Sequence, residues 1–195
     1  MSSDYVVWLH KIEKNACDLL EFSGLKRSYR LKRGVSLMDD WPDDVEMEMN
    51  EDHPDDLLLV DSLFNIKSLL VVSERIKGYL DSQDIAGSEL LPINIKNHKG
   101  RYIDDNYFVL NLATHVDCLD AEASHAEVST MTKNIKAVNG LVLRQTEALQ
   151  GLKLFRLSSF GVPTIVHKDL ALDMDAQGFT GIKWGKLEDF TDKTW

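Results

Sequence analysis

Histidine, cysteine and carboxylate side chains crowd one stretch of this 195-residue chain: HVDCLDAEASHAE places His115, Asp117, Cys118, Asp120, Glu122 and His125 within eleven residues. Imidazole, thiolate and carboxylate are all metal ligands, so a metal centre is the first chemistry to weigh. The spacing argues against it. The stretch contains no HxxxH, HExxH or CxxC, the intervals at which ligands usually converge on one ion. Val116, Cys118 and Leu119 read instead as core residues flanked by acids, which makes the stretch a structural turn. Ser124 lies beside His125, but adjacency does not make a nucleophile, because catalytic groups converge in space and not along the chain. A phosphate-binding GxxxxGK[ST], a GxSxG elbow, a dinucleotide-binding glycine pattern and a zinc signature are all missing. The expectation is a protein without catalytic residues, metal or cofactor.

The second kind of chemistry in the sequence is electrostatic. The formal net charge is −10, and it belongs to one segment. Asp39, Asp40, Asp43, Asp44, Glu46, Glu48, Glu51, Asp52, Asp55 and Asp56 succeed one another with no lysine or arginine between them, while the other 22 acids are matched by 22 bases. Such a balance argues against nucleic acid as a direct partner, since phosphate neutralisation needs clustered lysine and arginine. Within the segment, Val45, Met47 and Met49 alternate with Glu46, Glu48 and Asn50. Alternation of this kind predicts a strand with one buried face and one acidic face. A solvated surface accounts for the acids; so does an ordered contact face for a basic partner, made of Asp39, Asp40, Trp41, Asp43, Asp44, Glu46 and Glu48, with Trp41 as an aromatic anchor. Just upstream, Lys26, Arg27, Arg30, Lys32 and Arg33 surround Tyr29 and Leu31. They read as a basic edge strand or hairpin ended by Gly34; an RNA- or membrane-contacting arm would be neutralised by the acids downstream.

The elements that must position these residues are organised around an internal repeat. Leu70 to Ile93, LVVSERIKGYLDSQDIAGSELLPI, recurs without a gap as Thr164 to Leu187, TIVHKDLALDMDAQGFTGIKWGKL, at an offset of 94 residues. The copies share Val72/Val166, Asp81/Asp175, Gln83/Gln177 and Gly87/Gly181, and their apolar pattern matches at Ile76/Leu170, Leu80/Met174 and Ile85/Phe179. A β-branched run leading into helical spacing of apolar residues predicts strand, helix, strand in each. Ser73 suits a helix N-cap, His167 less so, and the two shared glycines suit backbone positions where φ is positive or a neighbour approaches closely.

Around the repeat, Tyr5 to Leu9 reads as a strand, Ala16 to Phe22 as strand or helix, and Tyr107 to Leu112 as a strand. Ile135 to Val138, Leu141 to Leu143 and Lys153 to Leu157 read as short strands. The expected fold class is α+β: a single globular protein in two lobes, with two pseudo-repeated strand-helix-strand units and additional, mostly antiparallel strands. An N-terminal strand-rich segment over residues 1–40 precedes a main domain over residues 41–187. Residues 188–195 form a tail, loose unless Phe190 or Trp195 docks.

No apolar run approaches the roughly 18 residues that span a bilayer, and the start MSSDYVVWLHK lacks a signal-peptide pattern. The expectation is a cytoplasmic protein. Two cysteines, Cys17 and Cys118, are too few for a disulfide framework and read as buried thiols.

In the second repeat, LKLFRLSSFGVPTIVHKDLALDMDAQGFTGIKW resembles the close of a bacterial immunity-protein family named for a myxobacterial locus and formerly a domain of unknown function. Phe155, Arg156 and Leu157 match the family's strand; Ile165, Val166, Leu170, Gly178, Gly181 and Trp184 match the family's next segment. YFVLNLATHVDCLDAEAS and the first repeat are similar to the family as well, so the resemblance spans about Trp41 to Leu187. It implies a protein that neutralises a cognate toxin domain of a polymorphic toxin system by stoichiometric capture, needing no catalytic residue. It carries over no binding residue. Two other classes stay open: a small-molecule-binding domain or enzyme with a cleft between the two lobes, and a scaffold or assembly subunit.

Overall fold

The computed structural model describes residues 4–131 and 135–191. In chain order its elements are β1 (Tyr5–His10), β2 (Asp18–Ser23), β3 (Glu46–Met49), β4 (Ser62–Asn65), β5 (Leu70–Ser73), α1 (Glu74–Ser82), β6 (Ser88–Lys96), β7 (Tyr107–Leu112), β8 (His115–Val116), β9 (Glu127–Val128), β10 (Ile135–Ala137), β11 (Leu154–Leu157), β12 (Thr164–His167), α2 (Lys168–Ala176) and β13 (Ile182–Lys186). Two helices among strands in mixed sheets make an α+β fold. The chain divides into two compact units, one of residues 10–113 and 179–182, the other of residues 4–9, 114–178 and 183–191.

The first unit is a closed barrel in the strand order β2-β3-β6-β7-β5-β4. Its neighbours pair antiparallel except at β2–β4 and β3–β6, which are parallel. Closure leaves no sheet edge to guard. Alternation along each strand fills the interior: Met47 and Met49 of β3, Leu91 and Ile93 of β6, and Tyr107 and Val109 of β7 belong to one buried cluster. Each such side chain contributes on the order of 1.5–3 kcal/mol of burial.

The basic run upstream of the acids is no edge strand or hairpin. Arg27 has φ 63°, which breaks an extended run, and Ser28–Lys32 turns as a 3-10 helix. The reason lies in its apolar residues, since Leu31 and, further on, Leu37 are buried in the barrel cluster and a turn brings both inward.

The second unit holds a five-stranded sheet in the order β13-β1-β12-β11-β8 and a separate pair, β9 with β10. Val7, Phe155, Leu157, Ile165 and Phe190 lie in its core. Phe190 docks, therefore, while Trp195 lies outside the described residues. Leu141 to Leu143 forms no strand; only Leu143 makes an isolated bridge, to Leu119. Of residues 16–22, for which the sequence allows strand or helix, 18–22 lie in β2, and Ala16 makes only an isolated parallel bridge to Leu58.

The repeat is present at its offset of 94 residues: β5 and α1 correspond to β12 and α2 residue by residue. Ser73 Oγ accepts the Ile76 N–H at 3.4 Å, and His167 Nδ1 accepts that of Asp169 at 3.2 Å, so both helices are capped by side chains. Gly87 has φ 72° and Gly181 φ 76°, a region that side chains disfavour. At Gly181 a Cβ would also meet the carbonyl oxygen of Ser62 and Cγ2 of Val60.

Candidate functional site

β3 carries the acidic surface. Val45, Met47 and Met49 are buried, so Glu46 and Glu48 must point away from the barrel interior. Preceding them, Asp39 and Asp40 lie in a 3-10 turn over Met38–Asp40, and Asp39, Asp40, Asp43 and Asp44 are all exposed. The parallel neighbour β6 holds this segment in place. Asn94 donates from Nδ2 to the Asp43 and Val45 carbonyls at 3.3 and 3.4 Å, and its own N–H donates to Val45 O at 3.0 Å.

The acids differ in what surrounds them. Glu46 accepts from Lys96 Nζ at 2.7 Å, Tyr102 Oη at 2.9 Å and Ser23 Oγ at 3.3 Å. The Lys96 ammonium, outweighing partial burial and helped by the tyrosine and serine hydroxyls, holds the Glu46 carboxyl below the usual carboxylate range, and Lys96 in turn is pushed up by Glu46. Lys96 also lies 3.6 Å from Glu48 and 5.3 Å from the centroid of the Tyr102 ring. Asp40 accepts both terminal nitrogens of Arg30 at 3.1 Å. Glu48 keeps 43% of its side chain exposed. The surface therefore has a paired part at Glu46, Asp40 and, more loosely, Glu48, and an outer part at the exposed Asp39, Asp43 and Asp44.

Trp41 is half-buried against the barrel core, and its indole N–H donates to the Pro92 carbonyl at 2.7 Å. That geometry makes the ring a fastener between the acidic segment and β6. Arg30, from the basic run, completes the surface together with Lys96 and Tyr102, which did not stand out in the sequence. Lys96 lies 50 positions from Glu46, and only the β3–β6 pairing, Glu48 opposite Lys96, brings them together.

Past β3, Asn50 is buried and donates from Nδ2 to Asp18 Oδ2 at 2.9 Å, while its Oδ1 accepts the Asp52 N–H at 3.0 Å. This turn sets Glu51, Asp52 and Asp55 on the surface.

The His115–His125 stretch does not converge. Asp117 pairs with Arg144 at 2.8 Å, Asp120 Oδ1 accepts the Ala123 N–H at 3.0 Å, and Ser124 is buried with its hydroxyl accepting from Val142 N at 2.9 Å. Among the described residues no group of three or more His, Cys, Asp or Glu side chains is placed to hold a metal ion. Cys17 and Cys118 are free and buried, and burial pushes their thiols up to about 12 and about 11. Thiols held that far from ionisation are poor nucleophiles. No helix among the described residues is long and apolar enough to cross a membrane.

What this arrangement offers is a charged, ordered surface on a closed barrel. Comparison with known proteins places the chain in a family. The family model described as Immunity protein family (Imm11) matches residues 15–189, beginning well before the Trp41 at which the sequence resemblance starts and taking in β2, β3 and the acidic segment. No curated protein matches the chain.

Proposed function

Since the chain belongs to the Immunity protein family (Imm11), we propose that it neutralises a cognate bacterial toxin of a polymorphic toxin system by stoichiometric binding that occludes the toxin, with no chemistry of its own. The family match over residues 15–189 is the observation that carries this reading. The partner is a protein toxin domain, met in the cytoplasm of the producing cell; neither nucleic acid nor membrane is a direct partner. The contact surface is Asp39, Asp40, Trp41, Asp43, Asp44, Glu46 and Glu48. Asp39, Asp43 and Asp44, exposed on a segment fastened to β6, supply the attraction to a basic partner, and a toxin acting on nucleic acid would offer a basic groove to them. Trp41, with its N–H on Pro92, holds the segment in place.

Two measurements test this. Co-expression with the toxin domain encoded beside this protein should rescue growth, and the two should co-purify at fixed stoichiometry; rescue at substoichiometric amounts without a complex would refute occlusion. The surface is tested by the double variant Asp43→Lys/Asp44→Lys. Opposite charges about 5 Å apart in water attract by ~0.8 kcal/mol. Reversal doubles the change, and a Debye length of about 8 Å roughly halves it. Two sites then amount to about 1.8 kcal/mol, or about twentyfold in association rate at physiological salt. Unchanged rates at low and high salt would place the contact elsewhere.

A further inference from the structure

On two neighbouring strands, β6 and β7, the row of side chains facing the barrel interior is apolar until one end, where each row closes on a polar residue. On β6, Glu89 shares its face with Leu91, Ile93 and Ile95, all of the buried cluster; on β7, Asn111 shares its face with Tyr107 and Val109. Glu89 and Asn111 stand opposite each other in register. Glu89 is 9% exposed and Asn111 fully buried. Glu89 Oε2 accepts the Leu37 N–H at 2.9 Å and Asn111 Nδ2 at 2.7 Å, and the same Nδ2 donates to the Val35 carbonyl at 3.0 Å. Burial alone would raise the carboxyl's pKa, but hydrogen bonds from the Ser36 hydroxyl, Leu37 N–H, Asn111 amide and Met38 N–H together outweigh it and hold the group below the usual range.

These donors are neutral. A buried carboxylate held by neutral groups is a costly way to fill a core position, and an apolar residue would usually serve stability as well or better. What the carboxylate supplies is a grip on successive main-chain donors, Leu37 and Met38, at the point where the chain turns toward the acids. The Leu37 carbonyl accepts the Asp40 N–H at 3.0 Å, so the backbone held by Glu89 is the first residue of the turn that carries Asp39 and Asp40. The Leu37 side chain, buried in the barrel cluster, sets the depth of that turn but not its direction.

We propose that Glu89 is a positioning residue for the acidic surface: from the barrel wall it fixes the backbone of residues 35–38 and so the direction in which Asp39 and Asp40 meet a basic partner protein. The proposal rests on the reading of the acidic segment as the contact surface. Charges held in one direction lose less freedom on binding than charges on a loose loop.

Glu89→Gln keeps the shape and removes the charge, and hydrogen exchange of the isolated protein reads the result without any toxin. The glutamine oxygen still accepts, but a neutral acceptor holds an N–H about half as strongly as a carboxylate does, so the amides of Leu37 and Met38 should exchange about fivefold faster or more. Those of Leu91 and Val109 should stay within about twofold of the parent. Ser36→Ala, at an exposed position that leaves the core intact, should accelerate the same two amides in the same direction by a smaller factor, and serves where the glutamine variant does not fold. Association with the toxin domain should slow in Glu89→Gln. Equal acceleration throughout the barrel would make Glu89 a general core residue, and unchanged exchange at Leu37 and Met38, or faster exchange with unchanged association, would overturn the proposal. Failure of Asp43→Lys/Asp44→Lys to alter association would sink the interface reading instead, and the exchange of Leu37 and Met38 would still decide whether Glu89 orders the segment.

Discussion

Asp61, a buried residue just before β4, offers a sharp test of what holds the barrel's own loops together. Its Oδ1 accepts the Ser73 hydroxyl at 2.7 Å; its Oδ2 accepts Arg75 Nη1 at 2.8 Å, the Thr180 N–H at 2.9 Å and the Thr180 hydroxyl at 3.0 Å. The Arg75 side chain is 60% exposed against 6% for Asp61, so water screens that ion pair and its share is about 0.5 kcal/mol. The neutral donors are less replaceable, because Ser73 also caps α1 and Thr180 reaches Asp61 by N–H and hydroxyl alike. Removing the carboxylate strands several of them, at about 1–3 kcal/mol for each buried group left unsatisfied. Asp61→Ala should therefore cost about 4 kcal/mol, or roughly 10 °C in Tm for a chain of this size. Arg75→Ala should cost about 0.5 kcal/mol, and Thr180→Val should fall between the two. Urea melts of the three variants supply the numbers. If Arg75→Ala costs as much as Asp61→Ala, the ion pair dominates and the ranking by exposure is wrong.

Gly181→Ala should destabilise by at least about 1–2 kcal/mol in the same melts, since it adds a collision with the Ser62 carbonyl to an unfavourable φ; a loss below ~0.5 kcal/mol would refute the close approach. His10, packed edge-on to Phe64 with ring centroids 5.7 Å apart, is lowered by burial from 6.5 to about 4. The unfolded chain therefore takes up a proton on this residue that the fold refuses, and its contribution to stability falls as pH drops from about 6.5 to about 4. His10→Phe should flatten that part of the profile of unfolding free energy against pH. The thiols run the other way: the fold keeps Cys17 and Cys118 protonated while the unfolded chain ionises near 9.0. Stability should fall as pH rises above about 9, and both thiols should resist a disulfide reagent at pH 8 until denaturant is added.

Much of the fold was legible because period and capping act locally. The alternation of Val45, Met47 and Met49 gave β3, and the 94-residue offset located both helices through Ser73/His167 and the shared glycines. Long-range closure was not legible. The parallel pairings β2–β4 and β3–β6 join residues through no turn whose chemistry could announce them, so the barrel left no signal in any window of the chain. The same limit governs the candidate surface: its acids were visible as a run, whereas Lys96, Tyr102, Pro92 and Glu89 come from elsewhere and reach the segment only through pairing. The basic run misled because crowded Lys and Arg, which would guard a sheet edge, also suit a turn when Leu31 and Leu37 must both reach the core.

Crowded acids repel, and a segment with ten of them in eighteen residues would by itself favour an expanded chain. The barrel opposes this by dividing the segment. Arg30 and Lys96 take Asp40, Glu46 and, more distantly, Glu48, while Asn94, Pro92 and Glu89 bind the main chain or Trp41 and leave the outer acids untouched. Neutralising Asp39, Asp43 and Asp44 within the protein as well would have relieved the repulsion and erased the surface potential. On the proposed reading of this surface, leaving them outward keeps a field that a basic partner would relieve on docking. The residual repulsion would then be released on binding and add to affinity, provided the backbone is held rigidly enough that the free protein does not relax by moving the segment. Glu89, Asn94 and Trp41, whose side chains fasten the segment to β6, are where that provision is met.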